Sequence, residues 1–180
     1  MGFLLDAWEK KESGVWLALL RIFLGGILLY AGFQKITNPA FAIDKVMAYF
    51  ASKNPYPWYR DFLTGYAIPQ SGLFALLVVW GELLLGGALI LGFLTNLVAL
   101  ITFFMFLNYH FAASWISSAS LYLHLIIMAT SLIFALAGAG KALSLDQLLG
   151  KRFPGFYRWT GGHIYQVLGK AKRLDPMVGR

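Results

Sequence analysis

Four apolar runs, each long enough to cross a lipid bilayer, constrain this chain more than any other feature. They cover about residues 15–36, 72–94, 95–114 and 118–139. A helix rises 1.5 Å per residue, so about 20 apolar residues span about 30 Å of hydrocarbon. Backbone that faces lipid must satisfy its own hydrogen bonds, so each run is predicted to be a helix. The connections after the second and third runs are short, which makes consecutive helices antiparallel neighbours. Only 13% of the residues are charged, against about 25% in soluble domains. Such a chain cannot cover its surface in water. The expected fold is an all-α integral membrane protein, a four-transmembrane-helix bundle.

The flanking charges set the expected orientation. Lys10 and Lys11 precede the first run, and Lys141, Lys151, Arg152, Arg158, Lys170, Lys172, Arg173 and Arg180 follow the fourth. The opposite side holds only Lys45, Lys53 and Arg60. Both termini are therefore expected in the cytoplasm, with the chain a multi-pass protein of the inner (plasma) membrane. The N-terminal MGFLLDAWEKKES has three acids and no small-x-small cleavage site, so it does not read as a signal peptide. The net charge of +7 lies beside the apolar runs, which points to anionic lipid and not to nucleic acid. There is no cysteine, so disulfides, iron–sulfur clusters and thiolate metal sites on this chain are excluded. No metal site is read from the sequence.

Three stretches follow from the run boundaries: a cytoplasmic N-terminal segment (1–13), a membrane domain (14–149) and a basic interfacial tail (150–180). The segment 37–71 is an outer loop rich in aromatics and proline, with an amphipathic helix expected over 40–52. Trp58 and Trp115 are expected in the aromatic belt at the interface. The tail mixes Phe153, Phe156, Tyr157 and Trp159 with basic residues, as suits a segment lying on the membrane surface from Lys141 onward.

Three ionisable residues fall inside the runs: Arg21, Lys35 and Glu82. Each is costly there and is a functional candidate for that reason. Counting from the run ends places Arg21 about 9 Å below one face and Glu82 about 15 Å below the other. An arginine can reach across that difference, so Arg21 and Glu82 are expected to pair. The pair would either lock helix register or form a proton site, with Glu82 accepting the proton. Lys35 is expected to snorkel to the interface. Gly25, Gly32, Gly86 and Gly87 are expected to let helices pack closely. His110 and His124 lie symmetrically about the turn near Ser117, at similar depth, with Asn108 beside the first. They are candidates for a quinone site, or in second place for haem b or a pigment, the alternative being simple hydrogen bonding to neighbours.

The chain resembles the DoxX/DoxD family of small four-helix membrane proteins. The resemblance rests on LLRIFLGGILLYAGFQKI in the first run, WGELLLGGALILGFLTNLVAL from the second into the third, NYH at Asn108–His110, and AGAGKALSLDQLL after the fourth. It covers about residues 14–149 and carries the family pattern onto Arg21, Gly25, Gly32, Lys35, Glu82, Gly86, Gly87, Gly92, His110 and Asp146. It implies a membrane subunit linked to quinone-dependent electron transfer, of the type found in thiosulfate:quinone oxidoreductase. There an extracytoplasmic donor such as thiosulfate is oxidised and quinone is reduced. The alternative is a non-catalytic accessory subunit of a larger respiratory or photosynthetic membrane complex, packing against partner helices, pigments or lipids. Both readings make lipids and other membrane subunits the partners.

Overall fold

A computed structural model describes the backbone of residues 2–38 and 41–152. Among these residues every regular element is helical. Helix α1 (Gly2–Thr37) is followed by two short helices, α2 (Ile43–Lys53) and α3 (Pro57–Phe62), the latter running into a π-helical turn at Leu63–Ala67. Then come α4 (Ser71–Leu91), α5 (Thr95–Ala113), α6 (Ser118–Ala137), a 3₁₀ turn at Ala139–Lys141 and α7 (Leu145–Arg152). Four segments are long and apolar enough to cross a membrane: Gly14–Thr37, Ser71–Leu91, Thr95–Ala113 and Ser118–Ala137. This is the expected four-helix membrane bundle. The tail beyond Arg152, including its aromatics and its basic residues from Arg158 on, lies outside the described residues.

The helix ends follow local chemistry. Gly92 takes the left-handed conformation (φ +64°) and stops α4, three residues before the end of the run read from hydropathy. Gly138 (φ +71°) stops α6 in the same way. Ser117 caps α6 by accepting the Ser120 backbone N–H at 3.1 Å.

The helices pack as two close antiparallel pairs, α1 with α4 and α5 with α6. In the first pair the backbones touch. A Cβ on Gly25 would lie 2.7 Å from the Gly86 carbonyl oxygen, and one on Gly86 would lie 2.7 Å from the Leu29 nitrogen. Gly32 is equally hemmed in, by Leu83 at 2.9 Å. Gly87 is different: a Cβ there would meet nothing within 4 Å. It faces outward, one residue round the helix from the packed stripe, and is not a packing glycine. Between the pairs sits a core that includes Leu28, Leu89, Val98, Phe106, Ile127 and Phe134. The outer faces carry Trp16, Phe23, Leu84 and Ile126, each more than 60% exposed. Lipid is the solvent such a surface requires.

The segment between α1 and α4 is a folded cap. Its amphipathic helix is α2, displaced by a few residues from 40–52, and α3 with the π turn was not foreseen. Met47, Tyr59, Leu63 and Ala67 bury themselves against Ala112 of α5, with Phe50, Phe62, Phe74 and Phe111 packed round them. Asn54 pins the cap to the end of α5, donating from Nδ2 to the Phe111 and Ala112 carbonyls at 2.8 and 3.2 Å. Trp58 is half exposed and lies edge-on to Phe111, while Trp115 stacks on Tyr49. We call this end of the bundle the cap end, and the opposite end, where α1 starts and α7 lies, the terminal end.

Candidate functional site

The three intramembrane charges do not pair as the depth count suggests. Arg21 and Glu82 belong to opposite ends of the bundle. Because Gly25 faces Gly86 and Gly32 faces Glu82 and Leu83, the register of α1 on α4 sets Arg21 beside Gly92, ten residues from Glu82. At 1.5 Å per residue that is about 15 Å along the axis. The count fails because α4 begins up in the cap, beyond the end of α1. Depth measured from Ser71 is therefore not depth below the end of the first span.

Arg21 instead ties down the terminal end. It is fully buried, and its guanidinium donates to the Ala139 and Leu143 carbonyls at 3.0 and 2.7 Å. Asp146, also fully buried, accepts the backbone N–H groups of Leu94 and Thr95, both at 2.8 Å, and so caps α5 from a distant part of the chain. Its own N–H donates to the Gly92 carbonyl. Gly92 has no room for a side chain, since a Cβ there would run into the Arg21 guanidinium. Ala139, Gly140, Ser144 and Asp146 are thus buried against the bundle while Leu143 and Leu145 stay exposed, so this stretch is anchored to the helices and does not simply lie on the membrane surface as expected of the chain from Lys141 onward. Burial holds the Lys141 ammonium below the usual lysine range. The bonds that Arg21 and Asp146 make in this clasp all go to backbone groups at turns and helix ends.

Glu82 pairs with Lys35. The Lys35 ammonium donates to Glu82 Oε2 at 2.5 Å, with side-chain exposures of 26% and 3%. Lys35 bends inward to the carboxylate and does not snorkel away from it, because a buried carboxylate without a counter-charge is the costlier arrangement. The second carboxylate oxygen, Oε1, accepts the Tyr109 hydroxyl at 3.1 Å. Lys35 from α1, Glu82 from α4 and Tyr109 from α5 therefore form one polar chain across three helices.

That chain ends at a cavity. Under the cap lies a space of about 440 Å³, counting its open mouth, walled by apolar side chains such as Met47, Phe50, Phe74 and Val78. Its polar edge is made by Tyr59, Asn108 and Tyr109. Tyr59 donates to Asn108 Oδ1 at 2.9 Å. Burial pushes the Tyr59 hydroxyl up to about 12, so it stays a donor at any physiological pH.

His110 and His124 do come together, with ring centroids 6.4 Å apart and planes at 75°. The Nδ1 atom of each is buried without a hydrogen-bond partner among the described residues. Phe106 and Tyr109 pack against the His124 ring, and Phe111 against the His110 ring. A haem held by both imidazoles would need its macrocycle between α5 and α6. Those helices pack directly on one another, and the two rings meet edge to face between them. The cavity is almost wholly apolar, with Tyr59, Asn108 and Tyr109 as the polar residues of its lining, a chemistry compatible with a flat aromatic headgroup.

Sequence reasoning found Glu82, Lys35 and Asn108 but missed Tyr109 and Tyr59. Tyr109 was visible only as a neighbour of His110, and nothing in its spacing shows that it faces α4. Tyr59 stood among eight aromatics of the loop.

The chain matches a known family over residues 16–170, described as the small subunit DoxD of TQO. The chain belongs to the DoxD family. The match runs past Gly150, where the resemblance read from motifs ends. By its description the DoxD family supplies a membrane subunit of thiosulfate:quinone oxidoreductase. Neither the curated proteins nor the solved structures contain a match. The DoxD pattern residues divide between the two ends of the bundle. Arg21, Gly92 and Asp146 build the terminal clasp, while Lys35, Glu82 and Gly32 build the polar chain beneath the cap.

Proposed function

We propose that this chain is the quinone-binding membrane subunit of a thiosulfate:quinone oxidoreductase of the plasma membrane. Its termini face the cytoplasm and its cap faces outward, as the ten basic residues near the termini against three in the cap support. The overall reaction takes two electrons from two thiosulfates, joining them as tetrathionate, and delivers them with two protons to quinone. The donor is oxidised on the outer side, together with partner subunits of the complex.

The observation that carries this reading is the cavity under the cap. Its apolar walls suit a flat aromatic headgroup, while Tyr109 and Asn108 at its edge can address quinone oxygens. Beside it stands a charged pair whose place inside a membrane span needs a reason beyond packing. Quinone supplies the two-electron acceptor; the protein binds it, orients its oxygens and excludes water.

Equilibrium binding of a short-chain benzoquinone to the purified complex tests the reading. Val78→Trp, which fills the cavity from α4, is expected to weaken binding about tenfold or more while the helical content stays unchanged. The same affinity in both proteins overturns the assignment of the cavity. No binding to either favours the accessory-subunit reading.

A further inference from the structure

Resting on the quinone reading, we propose that Tyr109 is the proton donor to the bound quinone and that Lys35 and Glu82 refill it from the cap end of the bundle. The polar chain has an asymmetry that a register lock would not need. One end, Lys35, is a quarter exposed two residues from the end of α1, and the other, Tyr109, lines the cavity. Glu82 sits between them, 3% exposed, with one oxygen bonded to each neighbour. Two points make this a conduit. Both carboxylate oxygens are used, one toward solvent and one toward the cavity. The Tyr109 ring is also wedged between Phe106 and His124, which fixes a side chain that both lines the cavity and bonds to Glu82.

Hydrogen-bond direction sets the sequence of events. With Glu82 ionised, the Tyr109 O–H points at Oε1 and away from the cavity. When Lys35 passes a proton to Glu82 Oε2 and regains one from the cap end, a half-turn of the carboxyl about its Cγ–Cδ bond brings the new O–H to the tyrosine oxygen, and the Tyr109 O–H is freed toward the cavity. As the donor's electrons arrive, the O–H bond of Tyr109 breaks and a new O–H bond forms on the quinone oxygen. The Glu82 proton replaces the lost one, and Glu82 is again a carboxylate facing Lys35. Two such cycles supply the two protons that accompany two electrons. The groups facing this chain are Lys35 from α1, Tyr109 from α5, His124 from α6 behind Tyr109, and Tyr59 from α3.

The test uses the native complex purified through this chain, with a short-chain benzoquinone as probe and thiosulfate as donor. Binding of the quinone and its steady-state reduction are measured separately from pH 5.5 to 9. Tyr109→Phe is expected to lower turnover about 100-fold or more while quinone affinity stays within about threefold. Glu82→Gln is expected to slow turnover likewise. The double variant should be no slower than the slower single one, because the two act in series. Lys35→Met should shift the pH profile of turnover without changing affinity. Full turnover in Tyr109→Phe with normal binding overturns the proton route and leaves the quinone reading standing. Additive losses in the double variant overturn it too. If the unaltered complex binds no quinone, the quinone reading itself fails and takes the route with it. Retained binding also shows that each variant has folded.

Discussion

Two kinds of hydrogen-bonded buried residue are told apart by what their bonds reach. Asp146, Arg21 and Ser144 bond to backbone at helix ends. Glu82 and Tyr59 bond to other side chains at the edge of a cavity. Tyr59 gives this second group a measurable signature. Burial pushes its hydroxyl up to about 12 in the folded protein, against about 10 when unfolded. Between pH 10 and 12 the native state keeps a proton that the unfolded state releases. This contribution is therefore complete below pH 10 and declines as pH rises toward 12. In Tyr59→Phe the alkaline decline should be shallower, and stability at pH 8 should drop by about 1 kcal/mol through loss of the bond to Asn108. Denaturation in mild detergent across pH 8–11.5 reads both; an unchanged alkaline slope would contradict the buried, neutral phenol.

Among the elements, α1 and α4 are joined by backbone contact, and that contact sets the register on which the Lys35–Glu82 pair depends. Adjacent glycines on α4 make a controlled comparison. Gly86→Leu must push the helices apart, at a cost of about 1–3 kcal/mol or more, with a lower Tm in detergent and loss of the pair. Gly87→Leu, with open space before it, should change stability by less than about 0.5 kcal/mol. Equal Tm values for the two variants would mean that the helices are not in contact at Gly86. The same elements show how far the sequence is legible. Long apolar runs report their own length, so the four spans are right to within about three residues at each end. The Gly25, Gly32 and Gly86 stripe follows from helical periodicity. Lateral partners do not follow, because a hydropathy profile carries no common zero of depth for two helices. The start of α4 inside the cap moved Glu82 from Arg21 to Lys35. The cap itself is legible only as aromatics and proline, since its fold depends on contacts between Asn54 and carbonyls nearly sixty residues away. Asp146 is apolar-run debris to a periodicity argument, yet it caps α5 across the bundle.

At the scale of the whole molecule, the distribution of Lys and Arg argues for the cap outside and the termini inside. The chain has no cysteine, so single cysteines can report sidedness without background. A cysteine at Ser52, exposed on the cap, should react with a membrane-impermeant maleimide in intact cells. One at Gln147, exposed on α7, should react only after the membrane is opened. The reverse pattern would invert the topology and place the cavity on the cytoplasmic side.

The position of the Lys35–Glu82 pair near the cap carries a consequence for energy conservation. On the proposed function, with the cap outside, thiosulfate oxidation and proton uptake by the quinone would both draw on the outer compartment. Electrons and protons then travel together to the same site, and no net charge crosses the bilayer during turnover. On that proposal the reaction would be electroneutral and would build no membrane potential of its own. Its free energy leaves the complex only as reduced quinone, and whichever enzyme later oxidises that pool decides how much of it becomes a proton gradient.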